Sequence, residues 1–351
     1  MKDGSGEDHG VIKCKIDEEE IEVATLRIDK VTDGRHAEIE FTKEWKLDAQ
    51  RRDFTVNALY LDLQSGEVYD YFNGLSHLKE KKICFINDPA LRIQEDFLRI
   101  MRYFRFHARI ASKVEQHDQK VLEAIKKYGV GIKNIAGERI WNELKLLFGI
   151  SNISMVKDAF LQMSSCGVLE NIGFHKNLNI NVFGKVCNNL YSVSNVHPMV
   201  LIASLIDDNK DVIVLNNKFK FSSAEMKVLE YILHNRKVIE SSSQGETTEK
   251  LKDLLVSTFK KSKKKFNKEE NQSLQNFFEL LKYLGLSNLI EKFRNYDIPT
   301  LPINGNDVMK ACGKKGPAVK KYLDEGKKIW RKSRYTVLKE DLIEQLINLE
   351  L

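Results

Sequence analysis

Two rhythms of apolar and polar residues divide the chain. Up to about residue 76, apolar residues come in short β-rich runs or strict alternation. VIKCKI (11–16), IEVATLRI (21–28) and HAEIEF (36–41) predict strands. The acidic stretch DEEE (17–20) predicts a turn between the first two, and VTDGRH (31–36) a mobile loop, since Asp-Gly favours turns. VNALYLD (56–62) and EVYDYF (67–72) flank LQSG, a predicted hairpin. Beyond residue 76 the spacing changes to three and four. LRIQEDFLRIMRYFRFHAR (91–109) predicts one helix over 91–111, started by Asp88-Pro89, and GERIWNELKLLF (137–148) predicts another. FSSAEMKVLEYILHNRKVIE (221–240) opens on a capping box, Ser222 with Glu225, and ESSSQGETTEK (240–250) reads as a linker. The whole predicts an α+β chain: a small piece built on a mixed β-sheet, residues 1–88, then all-α segments at 89–150, 151–239 and 251–351.

Bulk composition narrows the function classes. Among 351 residues there are only 5 prolines and 19 glycines, which favours helices, and the length suits two or three domains. The five cysteines form no CxxC pair, which fits free thiols and excludes a zinc knuckle. The longest apolar run, 200–206, is too short to span a bilayer, so no membrane partner is expected. Residues 1–10 have neither a signal-peptide core nor transit-peptide arginines. The net charge of +6 is concentrated: residues 310–334 hold ten Lys/Arg against two acids, and 260–268 hold six Lys and no acid. Localised positive charge suits a long polyanion, although a lysine-rich solvated surface has the same composition.

The 91–109 segment carries the candidate chemistry. Arg92, Glu95, Asp96, Arg99 and Arg102 recur three and four apart, with Ile93, Phe97, Ile100, Met101 and Phe104 between them. On a continuous helix this gathers two carboxylates and three guanidiniums on one stripe. Asp96 can accept from an exocyclic amino group, and Arg99 can donate to an unprotonated ring nitrogen. Cytosine and adenine offer that pair, whereas uracil and guanine place a carbonyl and a ring N–H there. A mismatched buried pair costs on the order of a few kcal/mol, enough to exclude a base. Spacing alone leaves open a self-paired Arg–Asp ladder on a solvent face.

RRDFTVNALYLD (51–62), DYFNG (70–74), EDFLRIMRYFRF (95–106) and GERIWNEL (137–144) follow one another in an order that resembles the class II tRNA nucleotidyltransferases, the CCA-adding enzymes, relatives of bacterial poly(A) polymerases. HGVIKCKI, EVATLRID and DGRHAEIEF ahead of them resemble the eukaryotic and mitochondrial members, and INGNDVMK with GKKGPAVKKYLDEGKKIW resembles the family tail. The resemblance implies a partial nucleotidyltransferase head (1–88), a neck (89–150), a body (151–239) and a tRNA-binding tail (251–351). It implies addition of C and A to tRNA from CTP and ATP with Mg²⁺, in mitochondria and/or the cytoplasm or nucleus. The family's opening Gly-Gly turn and paired aspartates are absent, so the chain reads as lacking the first part of the head. Two alternatives remain: a tRNA-binding isoform without catalysis, and a poly(A) polymerase-like transferase.

Residue by residue, the resemblance gives Glu22 the place of the third, metal-assisting carboxylate; an exposed strand residue is the alternative. Arg51 and Arg52 would contact the triphosphate, and Asp53 and Asn57 would position the sugar or the backbone, with an Asp53 cap as alternative. Asp96 and Arg99 would read the base, braced by Glu95 and Arg102. Asp70 and Gly74 would fix the head against the helices, and Glu138 and Arg139 would support the stripe. Asp33-Gly34-Arg35 would sit in a loop that reshapes the pocket. Lys314, Lys315, Lys320 and Lys321 would hold tRNA phosphates, while Trp330 and Tyr335 would stack or, more simply, anchor the core. A sheet lacking its opening strands would leave an open edge, so residues 1–75 are expected to be poorly stable and the helices to hold.

Overall fold

The alternating N-terminal segments form strands, but as separate antiparallel ribbons rather than one mixed sheet. The computed structural model of the protein describes residues 10–32, 37–114, 116–176, 178–207, 209–241, 243–258, 272–313 and 315–349. Strands β1 (Val11–Ile16) and β2 (Glu19–Ala24) pair from Val11↔Ala24 to Ile16↔Glu19. Strands β3 (Arg27–Thr32) and β4 (Ala37–Phe41) form a second ribbon, and β5 (Leu59–Leu61) with β6 (Val68–Asp70) a third. Each strand pairs with its sequence neighbour across a short connection, which antiparallel pairing permits. Parallel pairing would need a long crossover, and none joins the strands of a ribbon. The expected strand IEVATLRI splits at Thr25, whose N–H and hydroxyl both donate to the Gly10 carbonyl.

The β1–β2 ribbon leaves Ile12, Ile16, Ile21 and Val23 exposed, as expected for an incompletely covered sheet. From helix α1 (Trp45–Gln50) onward the picture reverses. Phe54, Ala58, Phe85 and Ile86 are buried, and the Phe54 ring lies 4.8 Å from Phe85 and 5.5 Å from Phe106. Phe54 therefore packs against the helices, while Ala49, Ala58 and Ile86 form a small core of their own with Tyr60 and Phe72.

Helix α2 (Gly74–Lys79) begins where Asp70 accepts the N–H groups of Phe72, Gly74 and Leu75. A Cβ at Gly74 would lie 2.3 Å from the Thr55 carbonyl, so only glycine allows that approach. The segment expected as one helix is two, α3 (Pro89–Glu95) and α4 (Leu98–Ile110). Asp96 between them is extended (φ −149°, ψ 105°), and its carboxylate accepts the Leu98 N–H at 3.0 Å. An aspartate that satisfies the first free amides of the next helix ends one helix and starts another. Helices α5 (Gln119–Tyr128), α6 (Gly137–Phe148) and α7 (Ile153–Ser165) surround this pair, with α4 against α6 and α7, and α3 against α5. Ile100, Met101, Tyr103 and Phe104 fill the seam.

The chain divides into two compact units, residues 1–229 and 230–351, with the boundary inside the helix Ser223–Glu240. Its capping box is present: Ser222 N–H donates to Glu225 and Glu225 N–H to Ser222 Oγ. The expected linker 240–250 is mostly helix, because Gln244–Thr258 continues from it. A Glu246–Lys250 pair and the buried Leu251 and Leu255 favour helix over the polar composition that suggested a loop. Among its described residues the second unit has two cores, one around Phe277, Phe278 and Phe293, the other around Tyr322, Trp330 and Leu342.

Candidate functional site

Two segments that are distant in sequence, 51–57 and 96–106, meet around a cavity of about 550 Å³ lined by Arg51, Arg52, Asp53, Asn57, Asp96, Arg99, Arg102 and Phe106. Seven of these eight are expected nucleotide-binding residues. Four guanidiniums against two carboxylates leave the lining at +2. A concave cationic site of this kind suits a polyphosphate.

Asp53, 8% exposed, is the hinge pin between segments. Its Oδ2 accepts from Arg102 Nε at 2.5 Å, and its Oδ1 accepts from Asn57 Nδ2 at 3.0 Å and from the Phe54 N–H at 2.9 Å. Burial alone would raise its pKa, but Arg102 and these donors outweigh burial and hold the carboxyl below the usual range. Asp53 in turn raises the pKa of Arg102 against the opposing effect of burial. Glu143 on α6 completes the group, accepting from Arg105 Nε at 2.6 Å and lying 3.7 Å from Arg102.

The expected base-reading pair has other partners here. Arg99 donates to Glu95 at 2.7 Å, to the Arg92 carbonyl at 2.9 Å and to the Arg51 carbonyl at 3.3 Å. Asp96 caps Leu98 and lies 3.5 Å from Arg139. Glu95 does brace Arg99, and it also pairs with Arg92. Arg102 braces Asp53 rather than Asp96. The helix break explains the difference: with Asp96 extended, the residues on its two sides no longer share one continuous stripe.

Asp48 and Phe106, which sequence reasoning missed, and Arg92, which it placed on the stripe without a role at the site, do much of the holding. Asp48, 1% exposed, accepts from Arg51, Arg52, Tyr60 and the Arg27 N–H. Arg92 donates to the carbonyls of both Arg51 and Arg52. Phe106 lies under the guanidiniums of Arg102 and Arg105, at 5.4 and 4.3 Å. Its position four residues after Arg102 was the available signal.

The remaining expected residues lie elsewhere. Glu22 is on the exposed β1–β2 ribbon, paired with Lys13 at 2.9 Å, and is not among the cavity-lining residues. The ribbon's turn keeps its pairing local, which is why Glu22 stays away. Asp70 and Gly74 build the turn at α2, and Glu138 is exposed on α6. Lys315, Lys320 and Lys321 are exposed in the second unit, where Trp330 and Tyr335 pack edge-on at 4.8 Å as core anchors. Lys314, residues 260–268 and Asp33-Gly34-Arg35 lie outside the described residues.

A second titratable cluster is buried in the helical core. His117 Nε2 lies 3.1 Å from Asp158, and its ring stacks on His107 at 3.6 Å with 17° between the planes. Neither ring nitrogen of His107 closes a hydrogen bond, and burial with His117 alongside pushes its pKa down to about 4. Lone pairs in nearly parallel rings do not converge on one point, so this trio fits a packed core better than a chelate.

Comparisons with known proteins bear on the family and the fold. The Poly A polymerase head domain family matches residues 1–84. The mouse protein "CCA tRNA nucleotidyltransferase 1, mitochondrial" is 37% identical over 98% of this chain and 76% of its own length. Among solved structures, the CCA-adding enzyme of Bacillus stearothermophilus in complex with CTP shares the fold, with a TM-score of 0.71 at 19% identity over 97% of this chain and 82% of that one. The Thermotoga maritima CCA-adding enzyme complexed with tRNA has a TM-score of 0.58 at 17% identity, covering 86% of this chain and 73% of that one. Similarity at that level to the mouse relative, carried across almost the whole sequence, means that the chain belongs to the CCA tRNA nucleotidyltransferase family.

Proposed function

We propose that the chain takes part in maturation of tRNA 3′ ends, with the cavity holding CTP and then ATP. The observation that supports this most is the meeting of Arg51, Arg52, Asp53, Asn57, Asp96, Arg99 and Arg102 around one cationic cavity. Arg51 and Arg52 suit the triphosphate, since guanidinium forks match phosphate oxygens. Asp96 and Arg99 suit the base edge once they exchange Arg139, Glu95 and the carbonyls for a nucleotide. The exposed Lys315, Lys320 and Lys321 suit the tRNA backbone through sequence-blind, salt-sensitive contacts. Mitochondrial residence is proposed from the name of the mouse relative.

Members of the family generally use a divalent metal, and Mg²⁺ is the ion proposed here. The described residues of the cavity do not fit such an ion. Asp53 is committed to Arg102 and Asn57, Asp96 to Leu98 and Arg139, and the lining is net positive. Hard divalent ions need several free oxygen ligands. This observation favours a second reading, in which the chain binds nucleotide and tRNA without transferring a nucleotide.

Incubation with tRNA lacking its 3′ end, Mg²⁺ and each nucleoside triphosphate in turn separates the readings. C followed by A, with no U or G, supports the first. Selective CTP and ATP binding without incorporation supports the second. Equal binding of all four triphosphates overturns the assignment of the cavity.

A further inference from the structure

We propose that Asp48 is the positioning residue of the two triphosphate-facing arginines, an inference that rests on the cavity being a nucleotide site. Arg51 and Arg52 are sequence neighbours just past the end of α1, where adjacent side chains leave the backbone in different directions. Both nevertheless line one cavity. A single buried carboxylate brings them together. Asp48 Oδ1 accepts from Arg51 Nε at 2.9 Å, and Oδ2 accepts from Arg52 Nη2 at 3.2 Å.

Asp48 is itself fixed from two further directions. The Tyr60 hydroxyl donates to Oδ2 at 2.5 Å and the Arg27 N–H to Oδ1 at 3.1 Å. Tyr60 also offers its ring face to Arg52, 4.8 Å from the guanidinium, and Arg52 Nη1 donates to the Asn57 carbonyl at 2.9 Å. Each arginine thus has one edge held by Asp48. The negative charge offsets the repulsion between two adjacent cations, which would otherwise separate them before a ligand arrives. The arrangement is a prealigned pair of forks, and prealignment lowers the ordering cost of binding.

The test uses the whole chain and compares the affinity for CTP, CMP and cytidine. Asp48→Asn keeps the shape and one acceptor oxygen but removes the charge; Tyr60→Phe removes one donor to Asp48. The expected result is a loss of about tenfold for CTP in Asp48→Asn and about threefold in Tyr60→Phe, with cytidine held within about twofold. Arg52→Lys added to Asp48→Asn should cost less than the two separate losses combined. Unchanged CTP binding in Asp48→Asn would overturn the proposal. An equal loss for all three ligands would overturn it as well, since that pattern means Asp48 supports only the fold. Should Asp48→Asn fail to fold, the split between CTP and cytidine in Tyr60→Phe decides by the same criteria. Wild-type chain that binds cytidine as tightly as CTP would sink the triphosphate reading itself, and the role of Asp48 with it.

Discussion

Replacing Arg92 with lysine keeps the charge and removes the fork. Arg92 is 7% exposed, and it donates from one nitrogen to the carbonyls of Arg51 and Arg52 and from the other to Glu95. A single ammonium on a different stem cannot meet all three acceptors in those directions. Glu95 keeps Arg99 as a partner, so its loss is small. At least one carbonyl is left buried without its charged donor, and a hydrogen bond of that kind is worth about 1.5–3 kcal/mol. A local destabilisation of roughly 2 kcal/mol follows, which corresponds to about 30-fold faster opening. A single melting curve is unsuitable, because a chain of two units is not a two-state system. Hydrogen exchange isolates the effect. The amides of Thr55, Asn57 and Ile86, bonded to the carbonyls of Cys84, Phe54 and Asp53, should exchange faster. Amides of the helix Gln272–Tyr283 in the other unit should not change. Unaltered exchange at 55–57, or the same acceleration in both units, would refute the idea that Arg92 holds this segment.

Three further outcomes are expected. Gly137→Ala places a Cβ 1.7 Å from the Lys218 carbonyl, so backbone must move; a loss of about 3 kcal/mol in urea unfolding of the first unit is expected, and a loss below about 1 kcal/mol would show that α6 shifts freely. His107, pushed down to about 4 by burial and by His117, stays neutral when folded, whereas an unfolded histidine takes up a proton near pH 6.5. Its share of stability is therefore complete above about pH 6.5 and declines by at most roughly 3 kcal/mol as pH falls through 4. His107→Phe should flatten the acid limb of a stability–pH curve over that window, and parallel curves for the two proteins would contradict this. Brief proteolysis should cut the exposed β1–β2 ribbon, at Lys13 or Lys15, before any site in 89–150; earlier cleavage within α4 would reverse the stability order.

Local signals made much of the fold legible. The alternation in VIKCKI and the capping pair Ser222–Glu225 each act within a few residues, and both held. Failures came where side chains redirect the backbone. Asp96 sits at a position that a periodic pattern assigns to a helix interior, yet its carboxylate caps Leu98 and breaks the helix. The polar run at 240–250 suggested a linker because the leucines that anchor its helix come only afterwards. At the site, the recurring charged residues pointed to Asp96, Arg99 and Arg102, and the family resemblance to Arg51, Arg52, Asp53 and Asn57. Asp48 stayed hidden because a lone acid in WKLDAQ has no periodicity to announce it, and its partners Tyr60 and Arg27 are set by tertiary structure. Glu22 is not among the cavity-lining residues, and its strand pairs with its own hairpin partner.

The contacts from Arg92 and Arg99 to residue 51 end on its main-chain oxygen, not on its guanidinium. Every amino acid supplies that oxygen, so the mooring is indifferent to what residue 51 displays. Where the segment sits and what it presents to a ligand can therefore vary independently. A substitution at 51 changes the electrostatics of the cavity without slipping the mooring, whereas a substitution at 92 does the reverse. Evolution could retune the ligand preference of such a site one side chain at a time while its architecture stayed in place.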